Sequence, residues 1–239
     1  MSRPRDTSHA TSTDWERLAM LAGIGFIVAL LASIFSAPSL AGSDATLAEF
    51  ADRYAADSSQ HLTSTAMTGV AAVFFLGFLG GLASLLRRSE DSPGVLSLVA
   101  IGSGVASIVL VLAAQATYAA AALVADVEGI QPDVVRGLDT VVFTLMQFSG
   151  FPRVAFLGAA ALIMLRSANA PNWLGWLALA GAIVGAIGLG GVSDYYGESI
   201  LGLFAFLGVI LFAVWILATS VVYLRRGERA PVATPATST

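Results

Sequence analysis

The chain has 239 residues, of which 56% are hydrophobic and only 12% are charged, and its mean hydropathy is +0.80. Soluble domains carry about twice that share of charged residues, so this composition excludes an ordinary soluble protein. The net charge is −4, which gives no basic surface for nucleic acid, and the absence of cysteine excludes disulfides and thiol chemistry.

Residues 1–14 are polar and rich in Ser and Thr, and we predict a disordered cytoplasmic tail there. Residues 230–239 have the same character and the same prediction. Between the tails, residues 15–229 contain six long apolar runs. A helix needs about 20 apolar residues to cross a bilayer, and it satisfies its own backbone hydrogen bonds there. The sequence therefore predicts an all-α, polytopic bundle of six transmembrane helices, at 18–37, 65–86, 94–125, 138–165, 173–192 and 200–224.

A short amphipathic helix is predicted in the long loop after the first span, from Leu47 to Ala56. Thr46 and Glu49 have the spacing of a capping box, in which each side chain bonds a backbone N–H group at the start of a helix. Apolar residues then recur at helical spacing. This helix either caps the bundle on its outer surface or simply connects two spans.

An internal repeat is indicated by a shift of 78 positions, which aligns Phe78-Leu79-Gly80 with Phe156-Leu157-Gly158. The same shift aligns Arg88-Ser89 with Arg166-Ser167. Two explanations remain open: duplication of a hairpin, or convergence, because arginines and prolines are common at helix ends near a membrane surface.

The Arg-Ser hairpins and the long first loop with its short helix resemble an uncharacterised group of six-span bacterial membrane proteins. This resemblance implies a fold and no activity.

The orientation follows from the arginines, since cytoplasmic loops carry an excess of them. Nine arginines fall on the side that holds both termini, and only Arg53 and Arg136 fall on the opposite side. We therefore expect a multi-pass protein of a bacterial plasma membrane with both termini in the cytoplasm.

Most membrane chemistry lacks its required residues here. The two histidines lie in polar segments, which argues against haem between the helices, and no lysine is present for a retinal Schiff base. Rhomboid proteases carry Gly-x-Ser-Gly in their fourth span, whereas this chain has Gln147-Phe148-Ser149-Gly150 and no histidine in its sixth. Ser149 thus has no base to activate it. We expect no enzyme activity, no metal and no cofactor.

Arg153 is the best candidate for a functional residue, because it lies deep in the fourth run. Thirteen residues separate it from Arg166 at the end of that run, which is about 20 Å of helix. A charge at mid-membrane costs at least about 2.5–3.5 kcal/mol. Ser149, Ser103 and Ser107 are the neutral groups at similar depth that could bond the guanidinium.

A second polar group is expected nearer the outer surface. Thr140, Thr144 and Gln147 share one face of the fourth span, and Gln115 and Tyr118 share a face of the third. These residues either line a vestibule that leads toward Arg153 or join helices by hydrogen bonds.

Two functions remain open on the sequence. In the first, the protein is a small permease or ligand-binding protein, and Arg153 meets a small anion or a lipid headgroup in a cavity. In the second, it is a non-catalytic subunit or regulator that packs against a membrane protein partner or a second copy of itself. The first requires a cavity that reaches Arg153, and the second a filled bundle with an exposed stripe of small residues.

Overall fold

The computed structural model describes residues 8–38, 46–90, 94–168, 170–191 and 199–228. These residues form eight α-helices and, after α7, one 3₁₀ turn. The helices are α1 Ser8–Ser36, α2 Leu47–Ala56, α3 Ser58–Ser89, α4 Val95–Ala125, α5 Pro132–Phe148, α6 Gly150–Arg166, α7 Asn172–Gly188 and α8 Ile200–Glu228. The predicted tail at 230–239 lies outside the described residues.

The predicted all-α fold is confirmed, since the described residues contain no strand and six helical segments that are long and apolar enough to cross a membrane. Helices α5 and α6 together make the fourth of these segments. Helix α4, the third spanning segment, ends at Ala125 as predicted. Helix α3, the second spanning segment, begins at Ser58, seven residues before the predicted start at 65. No glycine or proline occurs between 58 and 65, so the helix continues beyond the apolar run.

The first helix also starts earlier than expected, within the predicted tail. Helix α1 begins at Ser8, and residues 1–7 lie outside the described range. Residues 8–14 contain neither glycine nor proline, so nothing in their backbone chemistry ends a helix there. Helix α1 therefore includes residues 8–14 of the segment predicted as a tail.

The long helices form a ring in chain order. Each packs on the next along the chain, α6 packs on α4 and α7, and α8 closes the ring against α1. Helix direction alternates around the ring, so Arg88, Arg166 and Arg226 lie at one end, which we call the arginine-rich end. Helix α2 lies at the other, which we call the α2 end.

An aromatic core fills the ring toward the arginine-rich end. Phe78 and Phe156, which the shift of 78 positions aligns, are both fully buried. Their ring centroids lie 6.4 and 5.5 Å from that of Trp215 on α8, and the Trp215 indole N–H donates to the carbonyl of Leu174 over 3.1 Å. Phe78 and Phe156, which occupy equivalent positions of the two hairpins, thus both contact Trp215. This contact is compatible with duplication and with convergence.

Helix α2 has the predicted bounds and the predicted cap. The Glu49 N–H donates to Thr46 Oγ1 over 3.3 Å, and the Thr46 N–H donates to a Glu49 carboxylate oxygen over 2.9 Å. The second of these bonds holds the pKa of Glu49 below its usual value. One face of α2 is buried against α4 and α5 by Phe50, Ala51 and Tyr54. It caps the bundle rather than merely connecting two spans.

Candidate ligand-binding site

A cavity of about 680 Å³ extends from α2 to Arg153, between α1, α3, α4, α5 and α8. Most of its wall is apolar, and side chains from five long helices contribute to it, including Phe26, Phe75, Ile108, Val142 and Phe212. Small-molecule sites in proteins have volumes of about 300–1,000 Å³ and walls of this kind. Size and lining are thus those of a binding site for a small molecule with an apolar body.

Arg153 lies where the fourth span is interrupted. Pro152 has no N–H, so the carbonyl of Phe148 loses its helical partner, and α5 ends there while α6 begins at Gly150. The interruption leaves Arg153 in the first turn of α6, between the helices and at the end of the cavity.

The guanidinium of Arg153 has only neutral partners. Its Nη2 donates to Ser149 Oγ over 2.8 Å, and its central carbon lies 5.7 Å from the centroid of the Phe212 ring. In the part of the chain that the structure describes, no carboxylate forms an ion pair with it. An arginine has five N–H donors, so most of them remain available to a group inside the cavity.

Ser149 and Ser107 hold Arg153 and the segment that carries it through hydrogen bonds. The Ser149 hydroxyl accepts from the guanidinium and donates to the carbonyl of Met146 over 2.6 Å, while Ser107 on α4 donates to the carbonyl of Ser149 over 3.0 Å. Both serines are buried. These bonds hold the interrupted segment against α4 and fix the direction of the Arg153 side chain.

The predicted site residues divide into two groups. Ser107, Gln115 and Tyr118 line the cavity together with Arg153, Gln147 lines a neighbouring cavity, and Ser149 holds Arg153. Ser103 and Thr144 line neither cavity.

The face of α5 that carries Thr140 and Thr144 does not line the large cavity. Thr144 is exposed, and its hydroxyl donates to the carbonyl of Thr140 over 2.8 Å. The face of α5 that lines the cavity instead carries Val142, Phe143 and Met146. A threonine hydroxyl can be satisfied by its own helix, so it does not need to face a polar interior.

The second cavity, of about 290 Å³, lies between α5, α6, α7 and α8 and also reaches Arg153. Its wall includes Gly181, Gly185 and Gly188, the stripe of small residues on α7. A methyl group on Gly188 would lie 2.4 Å from the backbone nitrogen of Ala205 on α8. The stripe therefore serves close packing within the chain.

Three residues that the sequence did not single out as a site, His61, Tyr54 and Asp139, come together with Tyr118 at the α2 end of the large cavity. The His61 ring stacks on Tyr54 with centroids 4.3 Å apart and meets Tyr118 edge-on at 4.7 Å. The Tyr54 hydroxyl donates to Oδ1 of Asp139. Burial, with Asp139 as the next cause, raises the pKa of Tyr54, so its phenol stays a donor at neutral pH.

His61 and Asp139 were missed for separate reasons. His61 precedes the apolar run, and only the early start of α3 places it on a spanning helix. Asp139 precedes Arg153 by 14 residues, about 21 Å of helix, and its hydrogen-bond partner is Tyr54 on α2. The signal that could have found His61 was the lack of a helix-breaking residue between 58 and 65.

No family model, curated protein or solved structure matches the chain.

Proposed function

We propose that this protein binds an anionic amphiphile within its helical bundle and works as a ligand-binding protein or small permease. The observation that carries the proposal is the position of Arg153. Its guanidinium lies at one end of a mostly apolar cavity of about 680 Å³. Among the described residues, no carboxylate forms an ion pair with this guanidinium. The ligand's anionic group would pair with Arg153, and its apolar body would occupy the cavity.

The physical chemistry favours an anion at this point. Arginine stays charged even when buried, and its planar fork matches the oxygens of a carboxylate or phosphate. An unneutralised charge away from water is costly, so a ligand anion would gain from an attraction that little water screens. The ring of Phe212 and the hydroxyl of Ser149 offset part of that cost and leave the cavity side of the guanidinium available.

The alternative, a subunit or regulator without a ligand, is less well supported. That function called for a filled bundle with an exposed stripe of small residues. The bundle instead contains two cavities that meet at Arg153, and the glycine stripe of α7 packs against α6 and α8. A protein partner or a second copy therefore has no such stripe to bind on α7.

The proposed setting is a bacterial plasma membrane with both termini in the cytoplasm. Its support is the distribution of arginines, nine on the side of the termini against two on the other. In this orientation α2 lies on the outer face, and the ligand would reach Arg153 from that side.

Equilibrium binding of decanoate to the full chain in lipid nanodiscs tests the proposal, with decanol as the neutral comparison. Wild type should prefer decanoate. Arg153→Gln should weaken decanoate binding about ten- to hundredfold, since hydrogen bonds to charged groups contribute about 1.5–3 kcal/mol. It should leave decanol binding unchanged. The matched control is Arg88→Gln, at an exposed arginine near the other end of the bundle.

Equal binding of decanoate to wild type and Arg153→Gln would overturn the proposal, as would an equal affinity for decanoate and decanol. The thermal midpoint of each variant shows that it is folded. Decanoate uptake into proteoliposomes then separates a permease from a protein that only binds.

A further inference from the structure

His61 is a buried side chain whose Nδ1 has no hydrogen-bond partner among the described residues. It is 5% exposed and lines the large cavity at the α2 end. Buried polar groups in folded proteins nearly always have a partner. Hydroxyl groups on helices can turn toward their own backbone, but an imidazole held between two aromatic rings cannot.

The rings around His61 fix its plane. Tyr54 stacks on one face at an interplanar angle of 7°, and Tyr118 meets it edge-on. The ring is thus held by α2 and α4 while one edge borders the cavity. His61 lines the cavity, so a hydroxyl group inside it is a suitable hydrogen-bond partner for the imidazole.

The charged side chains near His61 determine which kind of ligand group can bind at this end of the cavity. Asp57 and Asp139 line this end of the cavity and disfavour a second anion, while Arg53 lines it too and disfavours a cation. Arg136, whose guanidinium carbon lies 4.8 Å from the Phe50 ring centroid, adds a second positive charge close by. Two negative and two positive side chains leave a neutral hydrogen-bonding group as the best match.

The distance between the two ends sets the length of the ligand. Ser107 bonds the segment that holds Arg153, and Tyr118, which touches His61, lies 11 residues further along α4. Eleven residues of helix span about 16 Å. Subtracting about 3 Å for a hydrogen bond at each end leaves about 10 Å. An extended chain covers about 3.5 Å per three bonds, so about nine bonds, or about 8 to 10 carbons when the chain is slightly bent, fill the gap.

We propose that the ligand is a medium-chain carboxylic acid with a hydroxyl group at its far end, whose carboxylate binds Arg153 and whose hydroxyl binds His61. This inference rests on the proposed function, since Arg153 supplies the anion site. It adds a second recognition point at the opposite end of the same cavity.

The test compares 10-hydroxydecanoate with decanoate on the full chain in nanodiscs. Wild type should bind the hydroxylated acid about three- to tenfold more tightly, the usual value of one net hydrogen bond. His61→Phe keeps an aromatic ring between Tyr54 and Tyr118, and it should abolish this preference while decanoate affinity stays the same. His61→Gln, which keeps a hydrogen-bonding group, should retain part of the preference. Thr144→Val, outside both cavities, is the control.

The outcomes separate the two proposals. If wild type binds both acids equally, or if His61→Phe keeps the preference, the hydroxyl site is overturned. The role of Arg153 is then still tested separately by the comparison of decanoate binding with decanol binding. If neither acid binds, the proposed function fails and takes this inference with it.

Discussion

The hydroxyl of Tyr54 donates a hydrogen bond to Oδ1 of Asp139 and so joins α2 to α5 across the α2 end of the large cavity. The two residues are 85 positions apart in the sequence. Both line the cavity, and the Tyr54 ring also stacks on His61. The Tyr54 side chain therefore lines the cavity, packs against His61 and donates to a carboxylate at the cavity border.

Tyr54→Phe tests this contact. The substitution keeps the ring and its stacking on His61 but removes the hydrogen bond to Asp139. We expect the free energy of unfolding to fall by about 1–3 kcal/mol, because a partly buried acceptor loses its donor. Amide hydrogen exchange should become faster in α2. Tyr223→Phe, on α8 near the arginine-rich end, is the control, and equal effects of both variants would contradict the assignment.

Acid should weaken the start of α4 through Glu90. Its carboxylate accepts from the N–H groups of Leu96 and Ser97, both over 2.8 Å, and from the Ser97 hydroxyl over 2.6 Å. The bond from the Ser97 hydroxyl is the largest of the causes that hold the pKa of Glu90 below its usual value. A lowered folded-state pKa means that the stabilisation is present above the unfolded value and is lost as pH falls through the folded one.

We therefore expect the free energy of unfolding to decrease as pH falls below about 4.3, the usual pKa of a glutamic acid. Glu90→Gln should be less stable than wild type at neutral pH and should lose less stability in acid. Glu128→Gln, in an exposed turn, should leave the wild-type pH profile unchanged. Denaturation followed at several pH values measures both, and identical profiles for wild type and Glu90→Gln would count against this cap.

A pair of glycine substitutions tests the packing of α7 on α8. A methyl group on Gly188 would meet the backbone of Ala205 at 2.4 Å, whereas a methyl group on Gly158 would have no neighbour within 4 Å. Gly188→Ala should destabilise the fold by about 1–3 kcal/mol through overpacking. Gly158→Ala should be neutral or stabilising by up to about 1 kcal/mol, since alanine favours helix. The thermal midpoints of both variants, measured in the same detergent, test this difference. A Gly188→Ala variant as stable as wild type would refute the close contact.

Local chemistry was enough to predict much of the fold. Helix α2 depends on hydrogen bonds between Thr46 and Glu49, three positions apart, and on apolar residues at helical spacing, so its bounds could be read directly. Of the predicted polar site residues, Ser107, Gln115 and Tyr118 line the large cavity and Ser149 bonds Arg153, whereas Gln147 lines the second cavity and Ser103 and Thr144 line neither. Thr144 lies outside both cavities, because helical spacing shows which residues share a face but not which way that face turns.

The amino-acid sequence by itself determined the membrane-spanning class, the number of spans, the capped helix α2 and the depth of Arg153 along its helix. These follow from transfer free energies and from hydrogen bonds within a few residues of one another. Only the tertiary structure decided that Arg153 faces a cavity, that His61 lies at the opposite end of it, and that Tyr54 pairs with Asp139. Such relationships depend on how each helix is rotated against its neighbours, and that rotation is set by packing between residues far apart in the chain.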